Sequence, residues 1–170
     1  MTNPATANVP GAIDGRPGLR SLAGFLGLCL GAAAIGAALT MPGVGAWYSS
    51  LHKPPWTPPA SLFGPVWTAL YLAMAVAAWL VWRHDRAPGR MLAINLFMLQ
   101  LALNVIWPAC FFTAKLPGLA MLEIVALWIA IAATLVNFLK ISRGAAFLML
   151  PYLGWVTFAS FLNFAIWKMN

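Results

Sequence analysis

Charge is what this sequence has least of. Only 8% of its 170 residues are Asp, Glu, Lys or Arg, where a soluble domain carries roughly a quarter. With 62% of the chain hydrophobic, there is too little polar material to cover a water-facing surface. A soluble globule is therefore excluded. Acids are scarcest: three Asp or Glu stand against ten Lys or Arg, for a formal net charge of +7. No two carboxylates lie close enough in sequence for paired acid–base work, and HExxH, GxSxG and Gly-rich phosphate-loop patterns are all missing. The only cysteines, Cys29 and Cys110, lie inside apolar runs and too far apart for a metal motif. They read as buried apolar side chains, without a disulfide or a redox role. The basic residues fall singly between apolar stretches, not in a basic patch, so nucleic acid is not an expected partner.

What is present in quantity is long apolar sequence. Five stretches are predicted to span a bilayer: Ser21 to Thr40, Leu62 to Trp82, Met91 to Thr113, Gly118 to Leu139 and Ala145 to Trp167. Each is about the 20 residues that a helix needs to cross roughly 30 Å of hydrocarbon. The expected fold class is an all-α integral membrane protein, a bundle of five transmembrane helices over residues 21–170. Residues 1–20 form a Gly/Pro/Ala/Asn-rich tail without apolar period, expected to be disordered. The first run follows Arg16 and Arg20 and is longer than a signal-peptide core, so it reads as a retained span. Its Gly24, Gly27 and Gly31 form a small face that either admits a neighbouring helix or reflects the ordinary Gly content of membrane helices.

Between the first two spans, residues 41–61 carry five prolines together with Trp47, Tyr48 and Trp56. Proline cannot continue a helix, and the segment is too aromatic for a plain linker, so it is expected to fold onto the membrane face. Pro108 predicts a kink in the third span. With five spans the termini lie on opposite sides. Arg16, Arg20, Arg83, Arg86, Arg90, Lys140 and Arg143 share one side, against Lys53, Lys115 and Lys168 on the other. The positive-inside rule then puts the N-terminus on the cytoplasmic side. His52 and His84 fall in loops on opposite sides, so they form no metal site.

Polar side chains inside a bilayer are costly, so their placement is informative. Gln100, Asn104, Trp107 and Phe111 are spaced +4, +3, +4, one stripe of a helix. Tyr152, Trp155, Ala159 and Asn163 make a second stripe, and Trp67, Tyr71, Met74 and Ala78 a third. Two arrangements satisfy this pattern. If the stripes converge, they line a cavity for a large, flat, mostly apolar ligand. Otherwise the amides bond between helices and the rings only pack. Glu123 is the sole acid within a span. It pairs across helices, sits near the interface, or serves a proton-coupled step.

Four segments resemble a known family in order and in register: WYSSLHKPPWTPP at 47–59, FGPVWTALYLAMAVAAW at 63–79, QLALNVIWPACFF at 100–112 and PYLGWVTFASFLNFAIWKMN at 151–170. They are similar to the tryptophan-rich sensory proteins of the TspO/MBR (translocator protein) family, in the wording of a bacterial member. The resemblance implies a five-helix homodimer in a bacterial cell envelope, with the first loop as a lid. It implies binding of protoporphyrin IX or haem-type porphyrins as ligands, with no required cofactor and no metal, alongside other hydrophobic small molecules and membrane lipid. By the family's pattern the ligand-binding residues are Tyr48, Trp56, Trp67, Asn104, Trp107, Trp155 and Ala159. Animal members carry a proposed cholesterol motif late in the fifth helix. Here Phe164 replaces its Tyr and Lys168 its Arg, which favours tetrapyrroles over sterols.

These expectations lead to a membrane receptor or carrier for porphyrins with a sensory or stress-regulatory role. Lys53 and His52 at the mouth are expected to meet porphyrin carboxylates. An alternative is light-dependent breakdown of protoporphyrin IX, with Trp67 and Trp155 supplying electrons or radicals to the ligand's own photochemistry. The second alternative is a tetrapyrrole or sterol transporter, against which stands the absence of an evident inverted repeat.

Overall fold

The computed structural model describes residues 18–170. Helix α1 spans Leu19–Val44, and the short α2 spans Ala46–Ser50. Helix α3 is Ala60–Trp82 and α4 is Arg90–Pro108, the latter running on into a π-helical turn at Ala109–Thr113. Helix α5 is Pro117–Leu139 and α6 is Arg143–Met169. Five of these, counting α4 with its π turn as one, are long and apolar enough to cross a membrane. The bundle is a closed ring in the order α1, α3, α6, α5, α4, with α4 returning to α1. Neighbours in sequence are therefore not always neighbours in space, and α3 meets α6 across the chain.

The burial pattern is that of a protein in lipid. Leu122, Phe147 and Phe161 are 72%, 68% and 65% exposed, while Gln100, Asn104, Thr134 and Asn163 are buried. Apolar groups lose nothing facing hydrocarbon, whereas polar groups need partners inside the bundle. The ring is closed by small and aromatic residues. Ala75, Ala77 and Ala78 on α3 are fully buried. Phe97 of α4 stacks on Phe138 of α5 at 6.0 Å, and Phe25 of α1 meets the edge of Phe97 at 6.3 Å. Across the lipid-facing side of α5 and α6, the Trp128 indole donates to the Thr157 hydroxyl at 2.8 Å.

Several boundaries differ from expectation. Of the expected tail, residues 1–17 (and with them Arg16) lie outside the described residues, and Leu19 and Arg20 already belong to α1. The loop expected from residue 41 starts later, because α1 includes Pro42 and runs to Val44. Proline there forgoes the bond to the Ala38 carbonyl and crowds the preceding turn, and the helix ends two residues later. The Gly24, Gly27 and Gly31 face meets no other part of the described residues: a Cβ at any of them would find nothing within 4 Å. Close approach occurs further along α1. A Cβ on Gly43 would stand 2.5 Å from the Phe112 carbonyl oxygen, so only glycine lets the end of α1 lie against the π turn. The Thr113 hydroxyl donates to the Leu39 carbonyl at 2.7 Å across the same contact.

At the basic end, Gly89 adopts φ 79° to turn the chain into α4, a conformation that costs glycine little. Arg90 lies 4.6 Å over the Trp82 ring and donates to the Trp82 carbonyl at 3.1 Å. Ser142 caps α6, accepting from the Ala145 amide at 3.4 Å.

Candidate functional site

The expected kink at Pro108 is built as a π turn. One extra residue in the turn shifts the helix register, as π bulges do. Phe111 and Phe112 in consequence both face the bundle, 4.8 Å apart, although ideal α periodicity would turn one of them outward. Phe111 stacks on Trp107 at 5.2 Å, and Phe112 meets the Trp107 edge at 5.9 Å.

Around these rings lies a small, partly open cavity of about 30 Å³, bounded by Tyr48 from α2, Trp107, Phe111 and Phe112 from α4 and its π turn, and Ala159, Leu162, Asn163 and Ile166 from α6. It has room for about one water. Tyr48 is its cover. The Tyr48 ring lies 5.7 Å from Phe112 and 6.4 Å from Phe111, with Trp47 beside it on the same two rings. Burial pushes the Tyr48 phenol above its ordinary pKa, so it remains a neutral donor at physiological pH.

From the cavity a line of rings runs along α6 toward α3. Trp56 of the loop meets Phe158 edge-on at 5.8 Å, and Phe158 lies 5.6 Å from Trp155. Trp155 meets Trp67 edge-on at 6.5 Å, and Trp67 lies 5.9 Å from Tyr71. The Trp155 indole N–H is buried without a partner among the described residues.

Beneath the rings are two polar locks. The Tyr71 hydroxyl donates to Asn104 Oδ1 at 2.5 Å, and Asn104 Nδ2 donates to the Tyr152 hydroxyl at 2.5 Å, tying α3, α4 and α6 at one point. One turn on, the Trp107 indole donates to Asn163 Oδ1 at 3.1 Å, and Asn163 Nδ2 donates to the Pro117 carbonyl at 2.8 Å. Gln100 is less well served: Nε2 reaches Met74 sulfur at 3.9 Å and Oε1 has no partner among the described residues.

Of the residues singled out in the sequence, Tyr48, Trp107 and Ala159 come together around the cavity. Trp56, Trp67 and Trp155 form the adjoining ring line. Asn104 does not line the cavity, and both its polar atoms serve the two tyrosines. Lys53 is not free at the mouth. Its ammonium donates to the Tyr48 and Leu51 carbonyls at 2.6 and 3.0 Å and sits 4.8 Å over the Tyr48 ring. It thus closes the C-terminal end of α2. The His52 backbone pairs twice with the Asn170 side chain, donating to Oδ1 and accepting from Nδ2, each at 3.0 Å. Among the described residues Glu123 does not pair across helices: both carboxyl oxygens are buried without a partner there. Among the described residues no three His, Cys, Asp or Glu cluster as a metal site.

The arrangement of five spans with an aromatic cover has known relatives. The TspO/MBR family pattern matches residues 25–168. The chain is 40% identical over 154 residues to the tryptophan-rich protein TspO of Chlorobaculum tepidum, covering 88% of this chain and 96% of that one. The chain belongs to the TspO/MBR family. It is a multi-pass integral membrane protein. The human translocator protein is 40% identical to it over 126 residues, 73% of this chain and 75% of that protein. A tryptophan-rich sensory protein of Cereibacter sphaeroides is 37% identical over 146 residues, 86% and 89% of the two chains.

Within this TspO/MBR chain, sequence reasoning left Phe112, Phe158, Leu162 and Ile166 off the site. The spacing of α6 carried a findable signal for two of them, since Leu162 and Ile166 follow Ala159 at +3 and +7. Phe112 had none under a regular helical period, because its inward placement depends on the π turn.

Proposed function

We propose that this chain is a receptor or carrier for flat, mostly apolar tetrapyrroles, with protoporphyrin IX as the first ligand to test. The observation that carries the reading is the aromatic surround of the cavity: Tyr48 over Trp107, Phe111 and Phe112, opposite the small Ala159. Rings of this kind stack on a flat apolar plate, and Ala159 leaves room where a larger side chain would fill it. The names of two relatives, a sensory protein and a translocator protein, support a signalling or carrying role over general housekeeping.

The form described here is closed. A site for a drug-sized ligand has about 300–1,000 Å³, against about 30 Å³ here. Binding requires α2 and the 51–59 segment to lift, with ligand–ring contacts replacing ring–ring contacts worth about 0.5–1.5 kcal/mol each. Because the lost and gained contacts are of one kind, opening is affordable without a large conformational penalty.

The test is a titration of detergent-purified protein with protoporphyrin IX in the dark, followed by Trp fluorescence. Saturable quenching that weakens about tenfold in Trp107→Ala and in Ala159→Leu supports the reading, a loss equal to about 1.4 kcal/mol. Linear quenching indifferent to both substitutions means that porphyrin only partitions into the micelle, and the reading fails.

A second reading, light-dependent porphyrin breakdown, is favoured by the contact of Trp67 with Trp155, whose indole N–H is buried and unpartnered. Under it, Trp67→Phe keeps dark binding and loses the photoproduct. Equal photoproduct in that variant excludes a role for Trp67.

A further inference from the structure

A second, larger hollow lies outside the aromatic cavity, on the end of the bundle that carries α2, the α4–α5 turn and the close of α6. It measures about 500 Å³, and its walls include Trp47, Leu51, Lys115, Leu119, Trp167 and Asn170. Three properties define what it can take. Its apolar walls open sideways: Leu116 and Leu119 are 51% and 48% exposed, and lipid chains reach them without passing through water. It sits at the level of a membrane–water interface, where α5 begins and α6 ends, with Trp167 beside Lys168. Among its lining side chains the one charge is positive.

That charge is Lys115. Lys115 stands in the α4–α5 turn with φ 58°, the one positive-φ residue other than glycine among the described residues. Among the described residues its side chain makes no hydrogen bond or ion pair, unlike Lys53 at the same end, which is committed to the α2 carbonyls. Among the described residues no acidic side chain at this end answers it. Asp85 is in the α3–α4 connection at the far end, and the Glu123 oxygens are buried in α5. The walls are tightly set. A Cβ on Gly118 would lie 2.8 Å from Trp167 Nε1, so glycine there is what lets the indole lie against the start of α5.

We propose that this hollow is a binding site for one anionic phospholipid, its phosphate held at Lys115 and the upper part of an acyl chain laid over Leu119 and Trp167. An unanswered cation next to apolar walls that face lipid complements an anionic amphiphile. The site is distinct from the aromatic cavity but shares a wall with it. Trp47 lines the hollow, and the adjacent Tyr48 covers the cavity.

The test uses the full chain in detergent, titrated with dioctanoyl phosphatidylglycerol or dioctanoyl phosphatidylcholine and read by native mass spectrometry. One phosphatidylglycerol is expected to be retained in preference to phosphatidylcholine. Lys115→Gln should lower that preference about two- to fivefold, the range for an exposed ion pair. Leu119→Trp should remove the retained lipid by filling the hollow, while Lys140→Gln at the opposite end should change nothing. Protoporphyrin titration of Lys115→Gln should match the unsubstituted chain, which separates this site from the porphyrin reading. Equal retention of the two lipids, or a phosphatidylglycerol preference untouched by both Lys115→Gln and Leu119→Trp, overturns the proposal. Displacement of the lipid by inorganic phosphate at equal concentration also overturns it, by making this a site for a free anion.

Discussion

Asn104 shows what a single polar side chain does in a membrane interior. Its amide spends both ends on tyrosines, Tyr71 from α3 and Tyr152 from α6. Asn104→Ala would strand two buried hydroxyls at once, so a loss of about 1–3 kcal/mol is expected for each stranded group, read as a lowered Tm in detergent. Tyr71→Phe removes one donor and should cost less. Glu123 is the opposite case. Its oxygens are buried and make no bond in the described residues, so Glu123→Leu is expected to raise the Tm. An unchanged or lowered Tm would mean that a partner is engaged in the membrane. Gly43→Ala should be among the most damaging small changes in α1, because the new methyl meets backbone at 2.5 Å. Backbone cannot yield as a flexible side chain can, and overpacking of this kind costs about 1–3 kcal/mol. The stripes in the sequence placed Gln100, Asn104 and Asn163 facing inward, and they are buried. Which partners they took was not readable, because that depends on how the helices pair.

At the scale of elements, the informative departures are the π turn and α2. Proline at 108 was a visible mark of irregular helix. Its form, an extra residue that turns both Phe111 and Phe112 toward the cavity, was not visible, since sequence period assumes a constant 3.6 residues per turn. Phe112→Ala should therefore weaken porphyrin quenching about as much as Phe111→Ala does. A regular helix would spare Phe112. The segment 41–61 read as an aromatic loop because its prolines dominate. Yet Ala46–Ser50, which precede Pro54 and Pro55, form a helical turn closed by Lys53. Lys53→Met should loosen that turn. Faster porphyrin association and faster dissociation are expected in stopped-flow quenching, with a smaller change in affinity.

For the molecule as a whole, hydropathy made the five spans legible, because length and apolarity are set by the bilayer and not by tertiary detail. The ring order α1, α3, α6, α5, α4 was not legible. It depends on which faces are small enough to approach, and the obvious glycine face of α1 meets nothing among the described residues. The sidedness read from Lys and Arg remains an expectation with a direct check. Single cysteines at Arg86 and at Thr57, in a background lacking Cys29 and Cys110, should be labelled by an impermeant maleimide from opposite sides of sealed vesicles. Labelling of both from one side would contradict five crossings.

The pairing of Asn170 with His52 spans 118 residues of chain, and that distance sets a clock. At about 5–20 residues per second, a ribosome needs roughly 6–24 s to go from one partner to the other. Throughout that interval the segment covering the cavity exists without its latch, and α6, half of the cavity wall, has yet to arrive. A nascent chain therefore passes through a stage in which the aromatic rings of α3 and α4 stand open to whatever flat molecule the membrane contains, before the same rings are shut in.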